Sequence, residues 1–360
     1  MMQGARVTIM AGGTGGHVFP ALAVADRLSE LGCVVSWVGT NKGIENSVVP
    51  NAGYSLSKIP VSGLRGKGIR SLLLAPFQLT HALIASLRIL SHLKPQIVLG
   101  FGGFVAGPVG LAARLRGDSL AIHEQNARAG TTNRILARWA NKVMTGFPNV
   151  FDKGIYVGNP VRSDIREIEK KLPANRPENL EGKLNILVLG GSQGARSLNQ
   201  IIPAALAGLG KSRAIRVRHQ CGPRWLEDTK AQYKSSELDV EVLAFIDKIS
   251  DAYAWSDLVV CRAGAMTVAE VAAMGRPALF VPFPYAIDDH QTANAEWLVR
   301  VGGAELIQES DINEFSLGNK LAHLAQPEKL QEMARLSSSA AIPDATDRIV
   351  RICEELINAP

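Results

Sequence analysis

A strand–glycine-loop–helix unit occurs twice in this chain, 178 positions apart (190 minus 12). The first copy is a short apolar run, Val7–Met10, followed by Gly12-Gly13-Thr14-Gly15-Gly16-His17 and a helical pattern reaching about Leu31. The second is Asn185–Leu189, then Gly190-Gly191-Ser192-Gln193-Gly194-Ala195, then a helix from about Arg196 to Leu209. A short apolar strand running straight into a glycine turn and a helix is the opening of a βαβ unit, in which helices cover both faces of a parallel sheet. Two such openings in 360 residues predict two similar α/β halves, the first spanning 1–161 and the second 162–341. Pro20 is expected in the first turn of its helix, where a missing N–H costs nothing.

Further strand ends carry polar or glycine-rich sequence. In the first half, Gln96–Leu99 runs into the turn Gly100–Gly103 and a small-residue helix, Ala106–Leu115. Ser119–Ile122 is followed by His123-Glu124-Gln125-Asn126, and Gly158-Asn159-Pro160-Val161-Arg162 reads as a joint, because Asn-Pro interrupts regular structure. In the second half, Val217–Cys221 and Val240–Leu243 are strands, the latter followed by Phe245 and Ile246. Leu258–Cys261 ends in Arg262-Ala263-Gly264 and a helix to Met274. Ala278–Pro282 leads to a loop carrying Asp288, Asp289, His290, Gln291 and Asn294. A helix that begins at a glycine turn offers free N–H groups and a positive end to an anion, typically a phosphate. Ligands of open α/β sheets bind beyond the carboxyl ends of the strands. Glu270, in the second turn of the helix after Gly264, is a carboxylate placed to accept hydrogen bonds from a sugar.

The first glycine loop admits a dinucleotide reading, but that fingerprint needs an acid at the end of the next strand. Here that strand, Val34–Val38, ends in Gly39-Thr40-Asn41, with no acid in place. His17 is a candidate general base or phosphate donor; the structural alternative is a histidine that caps the turn. Likewise the glycines at 100–103 are explained either by an anion site or by tight helix–sheet packing.

Taken in order, GGTGGH at 12–17, GFGGF at 100–104, HEQN at 123–126, GNPVR at 158–162, GGSQGA at 190–195 and the stretch 245–296 resemble the nucleotide-sugar glycosyltransferases of GT-B architecture. Within them the chain is similar to the bacterial family that moves N-acetylglucosamine from UDP-GlcNAc onto lipid I, completing lipid II for peptidoglycan. The resemblance covers the whole chain. It implies an α/β fold of two Rossmann-like domains with parallel sheets facing a central cleft, and a last helix, 342–360, returning to pack on the acceptor-binding first domain through Ile349, Ile352 and Leu356. It implies inverting transfer to the C4 hydroxyl of MurNAc. His17 is the first candidate base and Glu124 the second. Thr14, Gly15 and Gly16 would lie near the phosphates and Asn126 at a sugar hydroxyl, with Arg162 and Ser192 at the diphosphate. Ile246 would read uracil through its backbone. Ala265, Met266 and Thr267, with Val268 and Ala269 in the same run, would meet the diphosphate, Glu270 the ribose, Gln291 the GlcNAc hydroxyls, and Asn294 the uracil–ribose end. Met266 stands where Leu is common in the family, a substitution between two apolar residues unbranched at Cβ.

Many such transferases hold a metal through a DxD motif. The sequence has none, and the Asp288-Asp289 pair lacks the spacing. A metal-independent enzyme without cofactor is therefore expected, with helix N-termini and Arg162 meeting the diphosphate.

A net charge of +6 points to an anionic partner surface, nucleic acid or membrane, the alternative being a basic protein with no such partner. The lipid-linked acceptor implied by the resemblance selects the membrane and excludes nucleic acid. The segment 62–93 is basic and then amphipathic, with Arg65, Lys67 and Arg70 ahead of Leu72, Leu73, Leu74, Phe77 and Leu79. It combines the charge and apolar surface that hold a protein on an anionic bilayer, and Arg88, Lys94, Arg114, Arg116 and Lys142 extend the basic field. The other reading of this segment is a core-facing helix. The most apolar stretch, Leu72–Leu90, is interrupted by Pro76, Gln78, His81 and Arg88 and falls short of a spanning helix. The four cysteines are scattered with no CxxC or metal spacing, which reads as buried thiols in a reducing compartment. The expected location is thus the cytoplasmic face of the cell membrane, peripherally bound, with cell-wall synthesis and division proteins as further partners. The rival readings are another GT-B enzyme (a glycolipid transferase or UDP-GlcNAc epimerase), an NAD oxidoreductase and a non-catalytic membrane scaffold.

Overall fold

The computed structural model describes residues 2–61, 69–169, 182–191, 194–211, 213–234 and 236–359, with backbone only for 69–75 and 169. It divides into two compact units. One comprises Met1–Arg162 with Ile342–Pro360, the other Ser163–Ala341.

The first unit holds seven strands: β1 (Arg6–Ala11), β2 (Val34–Thr40), β3 (Ser55–Ile59), β4 (Ile97–Gly102), β5 (Ser119–Glu124), β6 (Lys142–Thr145) and β7 (Ile155–Tyr156). They form one parallel sheet in the order β3-β2-β1-β4-β5-β6-β7. Near-continuous burial along β1 and β4 is what a sheet covered on both faces requires. The strand order reverses between β1 and β4, so the connections leaving their carboxyl ends run to opposite sides and leave a crevice there. The loop Gly12–Thr14 and the turn at Gly102–Gly103 both lie at this point.

Two details differ from the sequence reading. The first helix begins at Gly15 and runs to Glu30, so Pro20 is its sixth residue, buried inside the helix. The glycine loop is shorter than its composition implies, because Gly15 and Gly16 are already helical. Second, β4 continues through Gly100 and Phe101 to Gly102, so the turn starts two residues later than the glycines suggest. Gly100 packs directly under the Met10 side chain, which keeps it in the sheet.

The helix Ala345–Ile357 belongs to the first unit. Ile349, Val350, Ile352 and Cys353 are buried in one cluster with Val18, Val24, Leu28 and Trp37, and Leu356 packs at its edge. Arg27 Nε donates to Asp347 (2.8 Å), tying this helix to Gly15–Glu30 at the surface. Burying a large aliphatic side chain contributes about 1.5–3 kcal/mol, so the apolar face of this helix, rather than one exposed ion pair, holds it in place.

The second unit contains β8 (Leu184–Leu189), β9 (Ile215–Gln220), β10 (Asp239–Leu243), β11 (Leu258–Cys261), β12 (Ala278–Phe280) and β13 (Ala304–Leu306). The parallel order β10-β9-β8-β11-β12-β13 repeats that of the first sheet, with its reversal between β8 and β11. The charged, Pro-bearing stretch Glu167–Glu181, which its sequence predicts to be a solvated surface segment, begins inside the helix Ser163–Glu169, in which Ile165 is fully buried. Residues 170–181 lie outside the described residues.

Candidate active site

In the first unit, the crevice at the β1/β4 reversal is organised by buried polar side chains. Glu45, wholly buried, lies beneath the glycine loop. Its carboxylate accepts from Gly13 N (2.9 Å), Thr40 N (3.0 Å) and the Thr40 hydroxyl (2.6 Å). Burial pushes its pKa up, but the bonds from Thr40 and Gly13 outweigh that and hold it below the ordinary glutamate value. The sequence reading looked for an acid at the end of β2 and missed this one, five residues beyond Thr40, because the acid serves the loop and not a ribose.

His17, in the first turn of its helix, is half-buried. Its Nδ1 is 3.1 Å from Gln125 Oε1. Glu124 is 2% exposed, and both its oxygens are occupied. Oε1 accepts from Asn126 N (3.0 Å) and Asn126 Nδ2 (3.2 Å), and Oε2 from Gly130 N (3.0 Å) and Asn133 Nδ2 (2.9 Å). A carboxylate satisfied four times by its own loop shapes residues 124–133, so Glu124 is placed as a loop organiser and Asn126 as one of its donors. Thr14, at the N-cap, accepts from His17 N (3.1 Å) and Val18 N (3.2 Å) through its carbonyl. The amides of Gly15 and Gly16 precede the helix's own bonding and have no partner within it. The Arg162 guanidinium lies over the Phe19 ring, 4.7 Å from its centroid, and belongs to the first unit rather than to the second, where the boundary at 161/162 would put it.

In the second unit the β8/β11 reversal gathers the donor-side candidates. The helix Ala265–Ala273 starts directly after Gly264. Val268 N already bonds Gly264 O (3.0 Å), so the open amides are those of Ala265, Met266 and Thr267. Val268 turns a fully buried side chain into the core, and Ala269 follows it into the regular helix; neither offers a free group. Gly264 has ordinary extended torsions (φ −62°, ψ 145°), and a Cβ there would meet only the Thr267 hydroxyl, at 3.7 Å. The chain itself does not demand glycine at this position, which leaves close approach of a ligand as its use. Glu270 is buried, and its Oε2 accepts from Tyr253 OH (3.2 Å).

Gln291 Oε1 accepts from Ala263 N (3.2 Å) and Phe283 N (3.0 Å), which turns its NH2 end away from those two amides. Asn294 is wholly buried and donates to Ala263 O (3.1 Å), a position that pins the turn rather than meeting a uracil. Asp289 stands at the N-cap position of the helix His290–Arg300 in a left-handed conformation, and its carboxylate accepts from the Thr292 hydroxyl (2.6 Å). Ile246 is half-buried in the loop after β10. Ser192 lies outside the described residues.

Two organising side chains escaped the sequence reading. Gln220 Nε2 donates to Gly191 O (2.9 Å) and Ala244 O (3.2 Å), joining the glycine loop to the loop of Ile246. Arg262 donates to Val281 O (3.1 Å), Pro282 O (3.0 Å) and the Ser197 hydroxyl (3.2 Å), and pairs with Glu309. Their signal was only position: Gln220 is the last residue of β9 and Arg262 the first after β11.

Two doubly wound units, each with a glycine loop and open helix amides at its strand-order reversal, are the architecture of the GT-B nucleotide-sugar enzymes. The chain belongs to glycosyltransferase family 28: the N-terminal domain of that family matches residues 7–145 and the C-terminal domain residues 185–349. It is 50% identical over 353 residues, 97% of this chain and 98% of the relative, to the UDP-N-acetylglucosamine–N-acetylmuramyl-(pentapeptide) pyrophosphoryl-undecaprenol N-acetylglucosamine transferase of Halorhodospira halophila. It is similar to the crystal structure of Acinetobacter baumannii MurG, with a TM-score of 0.83 and 41% identity over 98% of this chain and 99% of that one. A UDP-GlcNAc 2-epimerase from Neisseria meningitidis shares the fold at 14% identity, with a TM-score of 0.67 over 98% of this chain and 100% of that one.

Proposed function

We propose that this glycosyltransferase moves N-acetylglucosamine from UDP-GlcNAc to the C4 hydroxyl of the MurNAc of lipid I, giving lipid II. What carries the reading is the likeness, over 97% of the chain, to a relative named for that transfer. The site residues support it chemically. An acceptor hydroxyl attacks the anomeric carbon as the bond from that carbon to the diphosphate oxygen breaks. The electron pair leaves with UDP, and the hydroxyl proton goes to His17. His17 is preferred to Glu124 because the four hydrogen bonds on Glu124 occupy its lone pairs.

On the donor side, the amides of Ala265, Met266 and Thr267 receive the diphosphate at a helix N-terminus. Glu270 binds the ribose, the Gln291 NH2 a GlcNAc hydroxyl, and the backbone of Ile246 the uracil. The amides of Gly15 and Gly16 suit an anionic group of the acceptor, and Arg162 a diphosphate. The charge leaving on UDP is met by backbone dipoles and guanidinium, so no metal is required.

The test is transfer of labelled GlcNAc from UDP-GlcNAc to a lipid I analogue, with and without EDTA, for the wild type and His17→Ala. Product in EDTA, with turnover lost in the variant by about 10²–10⁴-fold and UDP binding retained, supports the reading. No product with any lipid I analogue alongside tight UDP binding, or epimerised UDP-GlcNAc, would refute it.

The same acceptor places the protein at a membrane surface. No described helix is long and apolar enough to cross one. Phe77, Leu79 and Ile84 on the helix Ile69–Leu93, and Leu115 on the helix Ala106–Arg116, are exposed apolar groups, with Arg88, Lys94 and Arg114 exposed beside them in sequence. The same long helix buries Ala82 and Leu90 in the core, so it serves both packing and surface. Arg116 is paired with Asp118 and Lys142 with Glu355, which removes these two from the basic field. Arg65 and Lys67, and the side chains of Arg70, Leu72, Leu73 and Leu74, lie outside the described residues. Exposed apolar groups flanked by cations support peripheral attachment to an anionic bilayer.

A further inference from the structure

The sequence presents His123-Glu124-Gln125-Asn126 as polar groups at a strand end and Gly158–Arg162 as a joint. In the fold these two segments are wired to each other and to His17. His123 is fully buried, its ring 5.6 Å from that of Phe101. Its Nε2 is 2.9 Å from Gly158 O. A carbonyl oxygen only accepts, so the proton sits on Nε2. Burial pushes the His123 pKa down to about 4, so the ring is neutral and its Nδ1 is a bare lone pair.

Gln125, 1% exposed, places its Nε2 3.0 Å from that Nδ1 and 3.0 Å from His123 O. Both neighbours are acceptors, so this end of the amide is the NH2. Reversing the amide would set its oxygen against a carbonyl oxygen and a nitrogen lone pair at once. The other end, Oε1, therefore faces His17 Nδ1 at 3.1 Å and accepts its proton. Asn159 Nδ2 donates to Gln125 O (2.9 Å), holding the Gln125 backbone in place. Gly102 (φ +94°) leaves the room the His17 ring occupies, since a Cβ there would sit 3.0 Å from its Cε1 and Nδ1. Each link of the chain from Gly158 O through His123 and Gln125 to His17 admits one proton arrangement.

We propose that Gln125, oriented by His123 and the Gly158 carbonyl, is a positioning residue that holds neutral His17 as the Nδ1–H tautomer and leaves Nε2 as the lone pair that accepts the proton of the attacking hydroxyl. The proposal rests on the reading of His17 as the base. On transfer, the O–H bond of the acceptor breaks, its proton bonds to Nε2, and the imidazolium keeps its Nδ1–H on Gln125 Oε1. The hydrogen bond on one ring nitrogen sets the role of the other, and Gln125 does this with a neutral amide.

The experiment is long-range proton–nitrogen NMR of the full-length protein with 15N-labelled histidine, recorded above the imidazole titration range. His17→Ala supplies the assignment. The wild type is expected to show His17 protonated on Nδ1 with a pyridine-like Nε2. Gln125→Met, which fills the same space without either polar end, is expected to move the His17 proton toward Nε2. It should also lower kcat roughly 10- to 100-fold, by analogy with the loss of the outer partner that orients a metal-ligating imidazole, at unchanged KM for UDP-GlcNAc. A wild-type His17 carrying its proton on Nε2 overturns the proposal whether or not the variant folds. So does a folded Gln125→Met protein with wild-type kcat. Failure of the base reading looks different: His17→Ala would keep its turnover while the wild-type spectrum still showed Nδ1–H.

Discussion

Replacing Glu45 tests the assignment of this buried carboxylate as the support of the first glycine loop. Glu45→Gln keeps one acceptor oxygen but sets an NH2 against one of the two amides now served, Gly13 N or Thr40 N. The site is fully buried, so no water replaces the lost acceptor. A buried donor left without a partner costs about 1–3 kcal/mol. We expect the first unit to lose about 2 kcal/mol, which lowers its melting temperature by about 4–8 °C for a unit of this size. Glu45→Ala removes all three bonds and should cost more.

The wild-type advantage carries a sign in pH. The folded pKa lies below the ordinary glutamate value, so the stabilisation is fully present above the unfolded pKa and is lost as the pH falls through the folded one. The wild-type and Glu45→Gln melting curves therefore converge in acid. Thermal unfolding followed by circular dichroism across that range reads both effects, and UDP binding, proposed above for the second unit, serves as a control. A Glu45→Gln protein that melts with the wild type at neutral pH would refute the assignment, as would a gap that widens in acid.

Two further outcomes follow from the donor side and the surface. Glu270→Gln keeps an acceptor for Tyr253 OH but loses the carboxylate charge, so UDP affinity should fall about 10- to 100-fold, the worth of a charged hydrogen bond; calorimetry showing an unchanged Kd would remove Glu270 from the ribose. Phe77→Asp with Leu115→Asp should weaken co-sedimentation with vesicles containing anionic lipid and leave transfer to a detergent-dispersed acceptor intact, because both side chains are exposed; unchanged sedimentation would place the membrane contact elsewhere.

Much of the fold was legible because its signals are local. An apolar run of four to six residues ending in glycine marks a buried parallel strand and its turn, and Leu258–Cys261 carries those same limits in the structure. The return of the last helix, Ala345–Ile357, to the first unit came from the family resemblance, and its expected face, Ile349, Ile352 and Leu356, is the one that packs there. Pro20 and Gly100 misled because composition alone does not say whether a helix or strand continues through them. Both do, since their neighbours pack: Pro20 sits in a buried helix face and Gly100 under Met10.

By itself, the sequence determined the two α/β halves, the glycine turns and the inventory of polar groups at the strand ends. The roles of those groups were decided by tertiary structure. Glu124 and Asn294 turned inward to hold backbone. Glu45 reached back 32 residues to Gly13, Gln125 reached 108 residues to His17, and His123 reached 35 to Gly158. A motif states which donors and acceptors are present. Which way each one points depends on the partner the fold brings to it, because a buried polar group must be satisfied by whatever lies within about 3 Å.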